Sequence, residues 1–393
     1  MFHAPAGAGA GPLAGALADA RAALAEVHRR GFLAAGAIDV RIIADSGARP
    51  FGTRLREVAA TLPRAAGLVV LGSGSLPLAT AADRRSFVSA ATGPPRVALA
   101  NNRYSGDAVA IPDAARVLAA VPDLPGDNAL PRWLAEHAGL VVADLRDRRR
   151  LQADLDGPAD LALLVRSPLC PASLRAAAAG LDAELADLRV RLHAVASVAA
   201  DRRAELLVAG RLSAAGLAHL EVATSSRVRA LVEERGLRAS SPLAVGATAG
   251  RPGNAGAADG RPGMDATAVE SGAPVSDHAA RPPASVLEML LDRDGPSSLG
   301  TTLARLGDAA LVDTRVLLAG RLGADERAWP TPEDRFASDL GLEAAIVDPW
   351  LRMLTEGART APIPVVLGGH SLVGPGLWLL FPRRVRLAGE SSS

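Results

Sequence analysis

The chain has 393 residues, 49% of them hydrophobic, with a formal net charge of +1 and aromatic residues at only 3%. That length exceeds one ordinary core and that apolar fraction can bury two; the absence of a basic block and the scarcity of aromatics exclude the footprint of a nucleic-acid binder. Every one of the 43 basic residues is arginine, so Schiff-base chemistry and a phosphate-loop lysine are excluded, and the single cysteine, Cys170, excludes an intramolecular disulfide or a cysteine-rich metal site.

No apolar run reaches the roughly 18 to 20 residues that span a bilayer, and no basic stretch precedes the small residues of MFHAPAGAGAGPLAGAL. A cytoplasmic protein without a membrane partner is expected. From the N-terminus, apolar runs of strand length alternate with helical patterns. LAGALADARAALAEVHRRGFLAAG reads as helix, DVRIIAD as strand, FGTRLREVAATL as helix, GLVVLGS as strand, ATAADRRSFVSAA as helix and RVALAN as strand. A helix near 128–138, the strand LVVADL and a helix opening at Pro158 follow. Such alternation predicts a mostly parallel sheet with crossover helices.

From Pro171 the sequence becomes Ala- and Leu-rich, predicting helices that connect to a strand-helix unit, AELLVAGR then SAAGLAHLEVAT, with Ser213 as N-cap. Residues Ala239 to Ala284, rich in Gly, Pro, Ala and Ser, predict a disordered linker. Beyond it, helices dominate until one late strand, IPVVLGG. The arginines of SRVRALVEERGLR and VDTRVLLAGR, with their acidic neighbours, read as ion pairs on helix surfaces or, alternatively, as a cluster receiving a phosphorylated or carboxylate ligand, and Arg146 to Arg150 as a solvated face or a phosphate clamp.

Gly369-His370-Ser371-Leu372-Val373-Gly374 looks like the nucleophile elbow of a serine hydrolase. Chain order opposes it: that class places its histidine after the serine, no histidine follows His370, and Val373 stands where a glycine is required. His137, His193 or His219 would have to approach Ser371 from elsewhere in the fold.

Two stretches carry more chemical information. Gly72 to Ser75, GSGS, ends an apolar strand with two glycines and two hydroxyls, a turn whose N–H groups can cradle an anion or serve a purely structural role. NNRYSGDAVAI, from Asn101, is dense in hydrogen-bonding groups and holds the only tyrosine, Tyr104. Asp127-Asn128 reads most simply as a helix N-cap, with substrate binding as the alternative.

The segment Asp154-Leu155-Asp156-Gly157-Pro158-Ala159-Asp160-Leu161, preceded by GDNALPRWLAEHAGLVVADL, resembles the closing motif of the MobA-like nucleotidyltransferases, the guanylyltransferase type that acts on molybdenum cofactor or 2-phospholactate. Pro77, Leu78, Thr80 and Asp83 fit that family's central motif. The chain departs from it at Ser75, where the family has a metal-binding aspartate, and in lacking the N-terminal glycine-rich signature with its lysine.

The resemblance, which covers roughly Leu13 to Leu164, implies a Rossmann-like, glycosyltransferase-A-like α/β domain, taken as 1–168; composition and patterning beyond it give a helical connector and strand-helix unit over 169–238, the linker over 239–284 and a mainly helical α/β domain over 285–393. It implies a nucleotide or phosphorylated small molecule as ligand, met by Ser73, Gly74, Ser75, Asn101, Asn102 and Ser105. A Mg²⁺ ion on Asp154 and Asp156 would offset phosphate charge in nucleotidyl transfer. A non-catalytic regulatory or scaffold protein is the alternative function, and a hydrolase using Ser371 a third.

Overall fold

The computed structural model describes residues 1–44, 49–234 and 283–382. The protein is α/β, built on two four-stranded sheets and a two-stranded pair. The expected linker lies almost wholly outside the described residues.

The first half runs β1 (Phe2–His3), α1 (Pro12–Ala34), β2 (Ile43–Ala44), α2 (Phe51–Ala60), β3 (Leu68–Leu71), α3 (Ala81–Ala91), β4 (Val97–Ala100), β5 (Ala108–Ile111), α4 (Ala114–Leu118), α5 (Leu130–Glu136), β6 (Val141–Asp144) and α6 (Pro158–Leu164). Its four-stranded sheet has the order β3-β5-β4-β6, with β5 antiparallel to both neighbours and β4 parallel to β6. A parallel bridge from Phe2 to Gly72 adds the parallel pair β1–β2 beside β3. Apolar clusters cover both faces: Phe51, Leu55, Val109, Leu118 and Trp133 on one, Ala25, Phe32, Leu76, Phe87 and Leu151 on the other.

The second half runs α7 (Ala172–Gly180), α8 (Asp182–Ala200), β7 (Glu205–Gly210), α9 (Ala214–Ala223) and β8 (Arg227–Val232). Past the undescribed stretch come α10 (Val286–Asp294), α11 (Leu299–Ala304), β9 (Ala309–Asp313), α12 (Thr314–Leu322), α13 (Pro332–Leu340), α14 (Pro349–Arg359), β10 (Val365–Gly368), α15 (His370–Val373) and α16 (Gly376–Leu380). The strands form an all-parallel sheet in the order β10-β9-β7-β8. Ser213 caps α9 by accepting from the Gly216 N–H.

Several elements depart from the sequence reading, first among them β5, which runs antiparallel in the middle of a sheet expected to be mostly parallel. β9 lies inside a stretch expected to be helical, because all five of its residues are buried and a strand covered on both faces has no alternation to betray it. β8 is an edge strand whose exposed Arg227 and Arg229 pair with Glu205 on β7, so these ion pairs cross a sheet and not a helix surface.

The largest apolar cluster does not respect the two halves. Leu13, Leu17 and Leu24 of α1 and Leu161, Leu163 and Leu164 of α6 pack in one continuous core with Leu185 and Leu188 of α8, the strand residues Leu207 and Leu311, and Val366 of β10. Both sheets therefore share α1 and α6.

Candidate functional site

The order of the first sheet creates a crevice. The chain moves outward from β1 to β2, then returns to place β3 on the other side of β1, so the connections leaving β1 and β3 diverge at their carboxyl ends. Such a switch point is where open α/β sheets bind ligands. A cavity of about 280 Å³ opens here. Phe2, Ala4 and Gly72 form the strand side, Gly106 and Asp107 come from the loop entering β5, and Gly126 and Asp127 from the turn before α5. Phe51 and Arg54 of α2 close it: the two phenyl rings meet edge to face at 5.7 Å, and the Arg54 guanidinium lies 5.1 Å from the Phe2 ring.

Beside the cavity the two quoted motifs meet. Ser75 and Asp154 pair across an antiparallel bridge, and the Leu155 N–H donates to the Gly74 carbonyl at 3.0 Å. Gly74 is required by this approach, since a Cβ there would lie 2.9 Å from the Leu155 carbonyl oxygen and 3.1 Å from Arg21 Nε. Arg21 reaches from α1 to the Leu155 carbonyl at 2.8 Å and the Asp156 carbonyl at 3.3 Å, with the exposed Asp156 carboxylate 3.7 Å away. Asp154 thus stands directly opposite Ser75.

The GSGS turn is held from inside. The Ser73 hydroxyl pairs with His3 Nδ1 at 3.0 Å, while the Ser73 N–H donates to the Phe2 carbonyl and the Ser75 N–H to the Gly72 carbonyl. Both serines are buried. Of the two roles open to this turn, anion cradle or structural turn, the N–H groups of Ser73 and Ser75 serve the structural one. Behind it, His28 is fully buried, and desolvation followed by the Arg84 charge lowers its ring to about 4. The ring is therefore neutral, with Nε2 donating to the Ser75 carbonyl at 2.8 Å and Nδ1 accepting from Arg84 at 3.3 Å.

Carboxylates converge on this edge. Burial, then the Asp127 charge, push Asp107 up to about 7, against the Asn101 amide that donates to it. Burial, then Asp156 and Asp107, hold Asp154 well above the usual carboxylate range, with Arg21 opposing. Crowded negative charge of this kind is what a divalent cation relieves. Among the described residues no cluster of three or more ligating side chains is arranged around a metal position. The donor set suits a cation that shares one or two carboxylates with ligand phosphates, the habit of Mg²⁺.

The three polar loop residues expected at the ligand fare differently. Asn101 is fully buried and spent: its Oδ1 accepts from the Asp107 and Ala108 N–H groups, and its Nδ2 donates to Asp107 and to the Leu151 carbonyl. It fastens the loop instead of facing the cavity. Asn102 accepts from the Tyr104 N–H, and the Ser105 hydroxyl donates to Asn128 Oδ1 at 2.8 Å, tying this loop to the turn that carries Gly126 and Asp127. No family model, curated protein or solved structure matches the chain. Its site must be read from its own geometry.

Residues that sequence reasoning missed are Phe2, Phe51, Arg54 and Gly126; Asp107 lies in the loop already singled out, and Asp127 lines the cavity without capping a helix. One signal was present: Gly106-Asp107 and Gly126-Asp127 are the same dipeptide at two loop ends, and both line the cavity. Arg148 and Arg150 also change role. They grip Asp83, which is fully buried, and do not form a solvated face.

The second sheet has its own switch point, between β7 and β9, and there the crevice is filled from within. Arg211 forks onto Asp313 at 2.6 and 3.0 Å, and Arg315 onto Asp339 at 2.6 Å for each bond. Gly210 is obligatory beneath them, at φ +129° with a Cβ position 2.3 Å from that of Asp313. Ser371 sits on the short helix after β10, buried. His219 does not serve it, since its Nε2 meets the Phe381 carbonyl at 2.9 Å and its ring stacks on Trp378.

Proposed function

We propose that this protein binds a nucleotide or a related phosphorylated small molecule in the cavity at the β1–β3 switch point, with a Rossmann-like nucleotidyltransferase architecture in its first half. The observation that carries this reading is the position of the cavity, at the one divergence of the first sheet and against the junction of GSGS with Asp154-Leu155-Asp156. Its mixed wall of two phenyl rings, an arginine and two aspartates suits a flat polar ring.

Asp154 and Asp156 would hold Mg²⁺, which when bound supplies positive charge to the phosphates. Around it Arg21 fixes the Asp154–Asp156 backbone, and neutral His28 fixes the Ser75 turn opposite. The same geometry favours binding over turnover, because the N–H groups of Ser73 and Ser75 are already engaged and the sequence has no lysine. A non-catalytic regulatory role is the second reading.

Thermal shift of the full chain with ATP, GTP, CTP and UTP, each with and without Mg²⁺, tests the proposal. Ligand at 100 times its Kd adds about 2.7 kcal/mol to the folded state, and at least one nucleotide should raise the melting temperature accordingly. No shift with any nucleotide sinks the reading. Pyrophosphate release then separates an enzyme from a binder.

A further inference from the structure

In a strand-to-helix crossover the helix N-terminus that follows the first strand is a ready place for phosphate, since its N–H groups point outward. Here that place is taken. Glu333, on α13 in the second half, accepts from the Leu13 N–H at 3.0 Å and the Ala14 N–H at 2.9 Å, and its side chain fills the space where a Cβ on Gly11 would stand. A phosphate chain entering with its ring in the cavity must be neutralised elsewhere.

The loop between β4 and β5 offers that charge. Tyr104 is 57% exposed, an unusual setting for the chain's only tyrosine, and two guanidinium groups rest on its ring, Arg103 at 5.1 Å and Arg146 at 4.8 Å. Arg146 also forms an ion pair with Asp144, its Nε 2.7 Å from the carboxylate. Among the described residues Arg103 makes no ion pair. The loop is anchored to the cavity from both directions: Gly106 and Asp107 line it, and Ser105 bonds Asn128 next to Gly126 and Asp127. Arg103 lies three positions before Gly106, a chain reach of at most roughly 11 Å, which the ribose and phosphates of a nucleotide can cover.

We propose that Arg103 and Arg146, braced on Tyr104, are an anion clamp for the phosphate chain of the ligand whose ring occupies the cavity. This rests on the nucleotide reading above, and adds where the phosphates go. Guanidinium groups are suited to it, because their planar fork meets phosphate oxygens two at a time.

The test is calorimetric titration of the full chain with the four nucleoside triphosphates, with their nucleosides and with inorganic tripolyphosphate. The unaltered protein, an Arg103→Gln/Arg146→Gln double variant and an Arg103→Lys/Arg146→Lys control are compared. The clamp predicts that a triphosphate binds more tightly than its nucleoside, that the double Gln variant weakens the triphosphate roughly 10- to 100-fold while leaving the nucleoside unchanged, and that the lysine pair retains part of the difference. Equal triphosphate affinity in the unaltered and double Gln proteins overturns the clamp and leaves the cavity reading standing. Tripolyphosphate binding that the Gln variant abolishes, in a protein that takes no nucleotide, keeps the clamp and removes the nucleotide. No binding of any probe overturns both.

Discussion

Replacing Asp83 by Asn removes the charge at the most heavily bonded carboxylate of the first half. Asp83 accepts from the Thr80 N–H at 2.8 Å and the Thr80 hydroxyl at 2.7 Å, from Arg148 at 2.8 Å, and from Arg150 at 2.6 and 2.7 Å. It is fully buried, while the two arginine side chains keep 40% and 33% exposure. Burial raises its pKa, but the bonds from Arg150, Thr80 and Arg148 outweigh it and bring the group from its ordinary 3.8 to about 2. A shift of that size corresponds to about 2 kcal/mol in favour of the folded state at neutral pH.

Removing one partner of a buried pair costs about 3–5 kcal/mol, and rehydration of the half-exposed arginines brings the expected loss for Asp83→Asn down to about 2–3 kcal/mol. The pH dependence has a definite sign. A carboxylate whose folded value is depressed stabilises fully above 3.8, and the contribution drains away as pH falls through about 2. Melting curves of both proteins by circular dichroism should show a wide gap at pH 7 that narrows steadily below pH 4. A gap that is the same at pH 7 and pH 2.5, or smaller than about 0.5 kcal/mol at pH 7, would refute the reasoning.

Three further outcomes are expected. Gly126 has an extended backbone and nothing within 4 Å of a Cβ position, so Gly126→Leu should leave the melting temperature within about 1 °C while abolishing any ligand-induced shift; retained binding would remove the cavity from the site. Asp160 accepts from the Asp156 and Gly157 N–H groups yet is carried to about 7 by burial and Asp156, so its ionisation costs stability as pH rises from 3.8 through 7. Asp160→Asn, which keeps an acceptor, should stabilise by about 2 kcal/mol at pH 8 and change little at pH 4, and no stabilisation at pH 8 would count against it. Glu233 bonds Ser285 and the Val286 N–H, each at 2.6 Å, and Glu234 bonds the Ala284 N–H at 2.9 Å. Replacing residues 236–282 with a six-residue Gly-Ser bridge should therefore preserve the circular dichroism spectrum and melting temperature, and loss of either would show that the excised stretch contributes to folding.

The alternating pattern from Leu13 to Ala100 made the first half readable, because α1 and α3 carry helical spacing and β3 and β4 are flanked by turn residues. β1 was not readable: only Phe2 and His3 pair, too few for any periodicity, yet they set the switch point that places the cavity. GSGS and Asp154-Leu155-Asp156 were each visible, but a bridge between Ser75 and Asp154, 79 positions apart in the numbering, is a property of the sheet order and leaves no local trace. Polar density misled at Asn101, whose amide is used wholly within its own loop. Charge density misled at Arg148 and Arg150, because their partner Asp83 lies on a helix far upstream.

The helices α1 and α6 belong to both sheets at once, and Glu333 fastens the start of α1 to α13. A cut near residue 168 would part Leu13, Leu17 and Leu161 from the second-half residues in the same core, so the largest interior would be finished in neither piece. Heat should consequently take the chain apart in a single calorimetric step, and any ligand held at β1 would protect β7, β9 and β10 from hydrogen exchange as strongly as the strands it touches.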